Sequence, residues 1–246
     1  MLDERMEDPY EAEERERIEQ NRRERLASVR QRMRIISNSA VDDEPEEETA
    51  PTEPETTEPS RTDIIRANRE QKWIEKVPPK FLPASISTLP PKMRKAAVSW
   101  ITHQFPQGQN LVLHGPTGGG KSTLAYAIAR ELYCGGTVCK IWQTAALMRE
   151  LRPNDGSRQI FDQVQNAGLL FLDDVGAEKE TEWTEEQLFL IIDHRWQYNL
   201  PTIVATNLTE DALHERLSDR IYSRLHHGAE IRLVTGQDYR NTHEDA

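Results

Sequence analysis

The chain has 246 residues and a formal net charge of −11 at neutral pH. Up to residue 60 it carries 9 arginines and no lysine against 19 acidic residues, so this stretch holds −10 of the charge and the remainder is close to neutral. The acidity therefore belongs to a tail and does not exclude a nucleic-acid partner for the rest. No run approaches the ~20 apolar residues needed to cross a bilayer, and the acidic N-terminus lacks the layout of a secretory signal. These features predict a cytoplasmic protein, whether of a cell or of a virus in its host, with no membrane partner.

Residues 1–36 are dense in Glu and Arg, with Leu26, Val29, Met33 and Ile36 at spacings of three and four. That predicts a helix with one narrow apolar stripe, either solvated or docked on a partner. Residues 37–60 run through Asp42, Asp43, Glu44, prolines and threonines with almost nothing to bury, which predicts a disordered linker. From Arg61 a short helix carries Ile64, Ile65, Trp73 and Ile74 and ends at Pro78 and Pro79. Pro91 suits the first turn of a second helix through Met93, Ala97, Trp100 and Ile101.

An alternation follows. Strands are predicted at Leu111 to Leu113, Val138 to Trp142, Leu169 to Leu172, Thr202 to Ala205 and Ile231 to Val234. Helices are predicted at Ser122 to Tyr133, Thr144 to Leu151, Ser157 to Asn166, Thr184 to Tyr198 and Leu208 to Leu225. Strand and helix in turn imply an α/β domain over residues 61–246: a mostly parallel five-stranded sheet with helices on both faces. Cys134 and Cys139 have no second cysteine pair or histidine cluster nearby, so two buried reduced thiols are expected rather than a zinc site.

The segment Gly115, Pro116, Thr117, Gly118, Gly119, Gly120, Lys121, Ser122 matches the phosphate-loop pattern G-x-x-x-x-G-K-[ST], between a strand and a helix. Glycines let backbone N–H groups wrap round phosphates, and the helix N-terminus adds partial positive charge. Lys121 would serve the β and γ phosphates of ATP, Thr123 would join the loop in binding the nucleotide, and Ser122 would offer a hydroxyl to Mg2+. Leu169 to Leu172 followed by Asp173 and Asp174 reads as a buried strand ending at the metal. Asp173 would hold Mg2+ through water. Asp174 would act on the attacking water, although Glu178 is an alternative base. An Asp is one methylene shorter than the more usual Glu, which predicts slow hydrolysis. Asn207, after the strand Thr202 to Ala205, either bonds the attacking water and the γ phosphate or caps the next helix.

In this order, Val77 to Phe81, the phosphate loop, Leu169 to Glu178, Ala205 to Asn207, Ser218 to Leu225 and Asp238 to Arg240 resemble the bacterial DnaC/DnaI helicase loaders. The IstB transposition ATPases and the DnaA initiators share parts of the pattern. The resemblance covers residues 61–240 and implies a P-loop AAA+ core with the Asn207 strand between the other two site strands. It implies that Arg224 is an arginine finger for the γ phosphate of a neighbouring copy, with Arg220 supporting that interface in an ATP-dependent homo-oligomeric spiral. Without it, a solvated helix face remains an alternative reading of both arginines. Only 39 residues follow Asn207, so no C-terminal helical lid is expected, as in the loaders. The resemblance further implies single-stranded DNA and a replicative DNA helicase as partners. Arg149, Arg152 and Arg158 are candidate DNA contacts, with no aromatic stacking platform beside them. A transposition or repair helper ATPase, a P-loop small-molecule kinase with an arginine-rich lid, and a protein that only switches on ATP remain as alternatives.

Overall fold

A computed structural model describes residues 61–154, 156–179 and 181–234. The predicted N-terminal helix and linker, and the motif at Asp238 to Arg240, lie outside the described residues. Helix α1 (Arg61–Lys76) stops where Pro78 and Pro79 remove backbone donors, and a single turn at Pro79–Phe81 follows. Pro91 opens α2 (Pro91–Ser99), whose missing N–H costs nothing at that position.

Five parallel strands follow: β1 (Leu111–His114), β2 (Cys139–Gln143), β3 (Leu169–Asp173), β4 (Thr202–Thr206) and β5 (Glu230–Leu233). Their order is β2-β3-β4-β1-β5, so β4 lies between β1 and β3 as the resemblance implies. β3 and β4 are buried along their whole length, which is why Leu169 to Leu172 and Ile203 to Ala205 read as unbroken apolar runs rather than alternating ones. Side chains of one face, Val112, Leu170, Leu172 and Val204, pack with Leu147, Val164, Leu188, Ile191 and Ile221 from the helices. On the other, α3 (Lys121–Cys134) crosses β3 and β4 with Leu124, Ile128 and Leu132 buried.

The remaining helices are α4 (Thr144–Glu150), α5 (Ser157–Gln165), α6 (Glu182–Gln197), α7 (Glu210–Arg216) and α8 (Asp219–His226). Helix α6 starts two residues before Thr184, because Thr181 and Thr184 form a capping box, each hydroxyl accepting from the other's backbone N–H at 3.1 and 3.0 Å. The single helix expected from Leu208 to Leu225 is instead two. Leu217 and Ser218 are extended between them, which lets Leu217 enter the core while α8 turns Ile221 and Leu225 inward. Both cysteines are free; Cys134 is buried, whereas Cys139 is only half-buried. Among the described residues, no helix follows β5 and none is long and apolar enough to cross a membrane.

A fully buried arginine, which the sequence pattern did not mark, ties the lower edge of the sheet. Arg195 Nε donates to Thr202 Oγ1 at 3.0 Å, Nη1 to the carbonyls of Val164, Gln165 and Ala167, and Nη2 to the Pro201 carbonyl at 2.7 Å. Burial pulls its pKa down to about 9, and the ring of acceptors keeps the guanidinium charged at neutral pH. It fastens α5, β3 and β4 at the end of the sheet remote from the phosphate loop.

Candidate nucleotide site

Parallel strands put their C-terminal ends on one edge, and the order of this sheet brings the ends of β1, β4 and β3 side by side. The loop after β1 turns through Gly118 and Gly120 at φ 85° and 92°, values a side chain would strain, before α3 begins at Lys121. Together with the end of β2, these segments border an open cleft of about 820 Å³. Thr117, Gly118, Gly120, Lys121, Ser122 and Thr123 form its floor; Gly115, Pro116 and Gly119 complete the loop, closed by a bond from the Gly119 N–H to the Pro116 carbonyl.

Lys121 is buried, and its ammonium donates to the carbonyls of Gly115 and Pro116 at 2.7 and 2.8 Å and to Asn207 Oδ1 at 2.8 Å. The Asn207 amide nitrogen donates to Asp174 Oδ1 at 3.0 Å. Ser122 Oγ donates to Asp173 Oδ1 at 3.0 Å. Burial holds the Asp173 carboxyl above its ordinary pKa, the Asp174 charge adding to the shift and the Ser122 hydrogen bond opposing it. A hydroxyl bonded to a buried acid, with a second, half-buried acid next in the chain, is an oxygen donor set suited to a hard divalent cation, whose charge would offset the repulsion between the two acids.

The Asp173 strand end is fixed from behind. Thr144 Oγ1 donates to the Asp173 carbonyl at 2.9 Å, and Thr206 Oγ1 to the Val175 carbonyl at 2.7 Å. Asp174 sits at φ 54°, a left-handed conformation that aims its carboxylate at Asn207. Glu178, the alternative base, faces elsewhere: its carboxylate accepts from the Gly176 N–H at 2.8 Å and pairs with Arg216 at 3.3 Å, and it does not border the cleft.

Lys80, Phe81 and Gln143 border the cleft without having been singled out for it. Phe81 stacks on Tyr126 with ring centroids 4.1 Å apart, and Tyr126 meets the edge of Phe171, so the turn after α1 is anchored to the sheet core. Lys80 and Phe81 stand in the segment that carries the family resemblance, which was a usable signal. Gln143 gave none, because the end of β2 joins the site only once β2 is known to flank β3.

Two groups of candidate residues lie apart from the cleft. Arg220 and Arg224 stand on α8, where Arg224 pairs with Asp193 of α6. Arg149, Arg152 and Arg158 are exposed around the turn between α4 and α5. An aromatic does stand beside them, contrary to expectation: Arg152 lies 5.6 Å over the Trp183 ring, contributed by α6 from far along the chain.

The model of the IstB-like ATP binding protein family matches residues 88–246. The replicative helicase loader DnaI of Bacillus subtilis is 31% identical over 111 residues, which span 44% of this chain and 36% of that protein. The replicative helicase loader DnaC of Escherichia coli is 27% identical over 134 residues, spanning 52% of this chain and 55% of its own length. The chain thus matches about half, or less, of the length of these curated relatives. A crystal structure of DnaI superposes with a TM-score of 0.58 at 26% identity, covering 65% of this chain and 95% of that one. Sheet order, phosphate loop and these likenesses agree on an AAA+ α/β core, and the chain belongs to the family of IstB-like ATP binding proteins.

Proposed function

We propose that the chain is an ATP-hydrolysing helicase loader, with hydrolysis as its switch. The observation that supports this best is the hydrogen-bonded set of Lys121, Asn207, Asp174, Ser122 and Asp173, drawn from three segments into one cleft, in a chain similar to two replicative helicase loaders.

In this reading the backbone N–H groups of the loop from Gly115 to Thr123, all but that of Pro116, which has none, and the Lys121 ammonium bind the phosphates of ATP. Ser122 and Asp173 would hold Mg2+, which would supply positive charge against the phosphate oxygens. Asn207 orients the attacking water, and Asp174 accepts its proton as the new bond to the γ phosphorus forms and the bond to the bridging oxygen breaks. A second copy of the chain presents Arg224 to the same γ phosphate, so that hydrolysis depends on assembly. Arg149, Arg152 and Arg158 follow the backbone of single-stranded DNA with little sequence preference. Residues 1–36 dock on the helicase, joined to the ATPase domain by residues 37–60.

The family match supports a second reading, a transposition helper that recruits a different enzyme through the same switch. Pull-down by the full chain with ATP, against a purified replicative helicase and a transposase in parallel, separates the two. Helicase capture that is lost on deleting residues 1–36 is the expected result. Capture of the transposase alone contradicts the loader reading, and full helicase capture after the deletion contradicts the docking assignment.

A further inference from the structure

Helix α6 places Phe189, Asp193, Trp196 and Gln197 at spacings of four, three and one, on one face of the helix. All four serve α8. The Arg224 guanidinium lies 5.2 Å from the Phe189 ring and 5.1 Å from the Trp196 ring, and Arg220 also lies over Phe189 at 5.9 Å. Between the rings, Arg224 Nε donates to Asp193 Oδ1. The second oxygen of that carboxylate accepts from Gln197 Nε2 at 2.6 Å, so Asp193 is itself held from the far side.

The grip is one-sided. It takes the inner Nε edge of Arg224, Nη1 makes a long contact of 3.4 Å with the Arg220 carbonyl, and Nη2 makes no hydrogen bond among the described residues. A guanidinium can fork onto an anion with its two Nη groups while Nε is tethered, and two flanking rings fix the plane of that fork. Holding a long side chain in one rotamer before it meets its target removes the entropy cost of ordering it later.

We propose that Asp193, backed by Gln197 and flanked by Phe189 and Trp196, is the positioning residue of Arg224, presenting its Nη edge to the nucleotide phosphate of a neighbouring copy. The proposal rests on the reading of Arg224 given above. It makes α6 a working part of the ATPase in trans, although none of its residues borders the cleft of its own copy. The opposite role, a restraint that must be broken before Arg224 can act, would draw on the same ion pair but predicts the opposite sign on removal.

The test measures phosphate release by the full chain with Asp193→Asn, Arg224→Ala and the double substitution, together with the affinity for a fluorescent ATP analogue. Arg224→Ala is expected to lower turnover by about 10³-fold. Asp193→Asn is expected to lower it by roughly 10- to 100-fold, the cost of a misplaced group, with nucleotide affinity unchanged because the cleft of the same copy is intact. Asp193→Asn is expected to add nothing in the Arg224→Ala background, since the two then act as one unit. A rise in turnover for Asp193→Asn, no change, or an equal fall in both backgrounds overturns the proposal. Should Asp193→Asn fail to fold, Trp196→Leu, which keeps the ion pair, must lower turnover several-fold at unchanged affinity for the proposal to stand. Full turnover in Arg224→Ala overturns the in-trans reading itself and this proposal with it.

Discussion

Asn207 donates its side-chain amide to the Asp174 carboxylate across 3.0 Å, although the two residues follow the ends of different strands and stand 33 positions apart in the chain. The amide oxygen of Asn207 meanwhile accepts from Lys121, so one side chain spaces a cation from an anion at the mouth of the cleft. Replacing it by Ala is expected to leave nucleotide affinity within about threefold and to lower turnover by roughly 10- to 100-fold, because under the proposed function its loss removes only the orientation of the water. Asn207→Asp would set a second carboxylate beside Asp174 and the γ phosphate, so affinity for the triphosphate should fall as well. Nucleotide titration beside a phosphate-release assay distinguishes the two patterns.

Asp174, which faces Asn207, and Glu178, which pairs with Arg216, are expected to carry chemistry and structure respectively. Asp174→Asn is expected to reduce turnover by about 10²-fold or more, the typical worth of a general base, with little change in melting temperature. Glu178→Gln breaks the ion pair with the largely buried Arg216 and should destabilise the fold by about 1–3 kcal/mol while changing turnover only a few-fold. Thermal melts and turnover on the same two proteins check this. A larger catalytic loss in Glu178→Gln would transfer the role of base to it.

Arg195 satisfies four backbone carbonyls and one hydroxyl at the bottom of the sheet. Arg195→Met removes every donor and leaves buried acceptors unpaired, for which a loss of about 3 kcal/mol or more is expected from chemical denaturation. Any surviving folded protein should still bind nucleotide, because the cleft lies at the other end of the strands.

These residues also mark what could and could not be read from the chain. The phosphate loop was legible because its chemistry is local: eight consecutive residues carry the turn, the helix start and the charge. Asp173 was legible because β3 is buried on both faces and so shows as an apolar run with an abrupt acidic end. Arg195, Asp193, Gln143 and Trp183 were not. Their partners lie in other elements, and which elements touch is decided by the β2-β3-β4-β1-β5 order rather than by any neighbouring residue. The break between α7 and α8 was hidden for a related reason, since Leu213, Leu217, Ile221 and Leu225 keep a helical spacing straight through it, all buried.

Arg149 and Arg158, near the facing ends of α4 and α5, flank the exposed connection that holds Arg152, and Arg152 rests over Trp183. Changing all three arginines to Glu is expected to abolish measurable binding of single-stranded DNA at moderate salt, while ATP turnover in the absence of DNA stays within about twofold. Each arginine changed singly should reduce the dependence of affinity on salt by less than one ion per site. Trp183→Ala should weaken binding by about 1–3 kcal/mol if a base stacks there. Fluorescence anisotropy with a labelled oligonucleotide, over a salt series, reads all of these.

The most direct test of an assembling ATPase is turnover per chain measured over a range of protein concentrations, with and without single-stranded DNA, for the unchanged protein and for Lys121→Ala and Arg224→Ala. The account predicts turnover per chain that rises with concentration, responds to DNA and is lost in both variants, with subunits of the two variants restoring activity when mixed. Turnover that is independent of concentration and DNA, lost in Lys121→Ala and unaffected in Arg224→Ala, would contradict it.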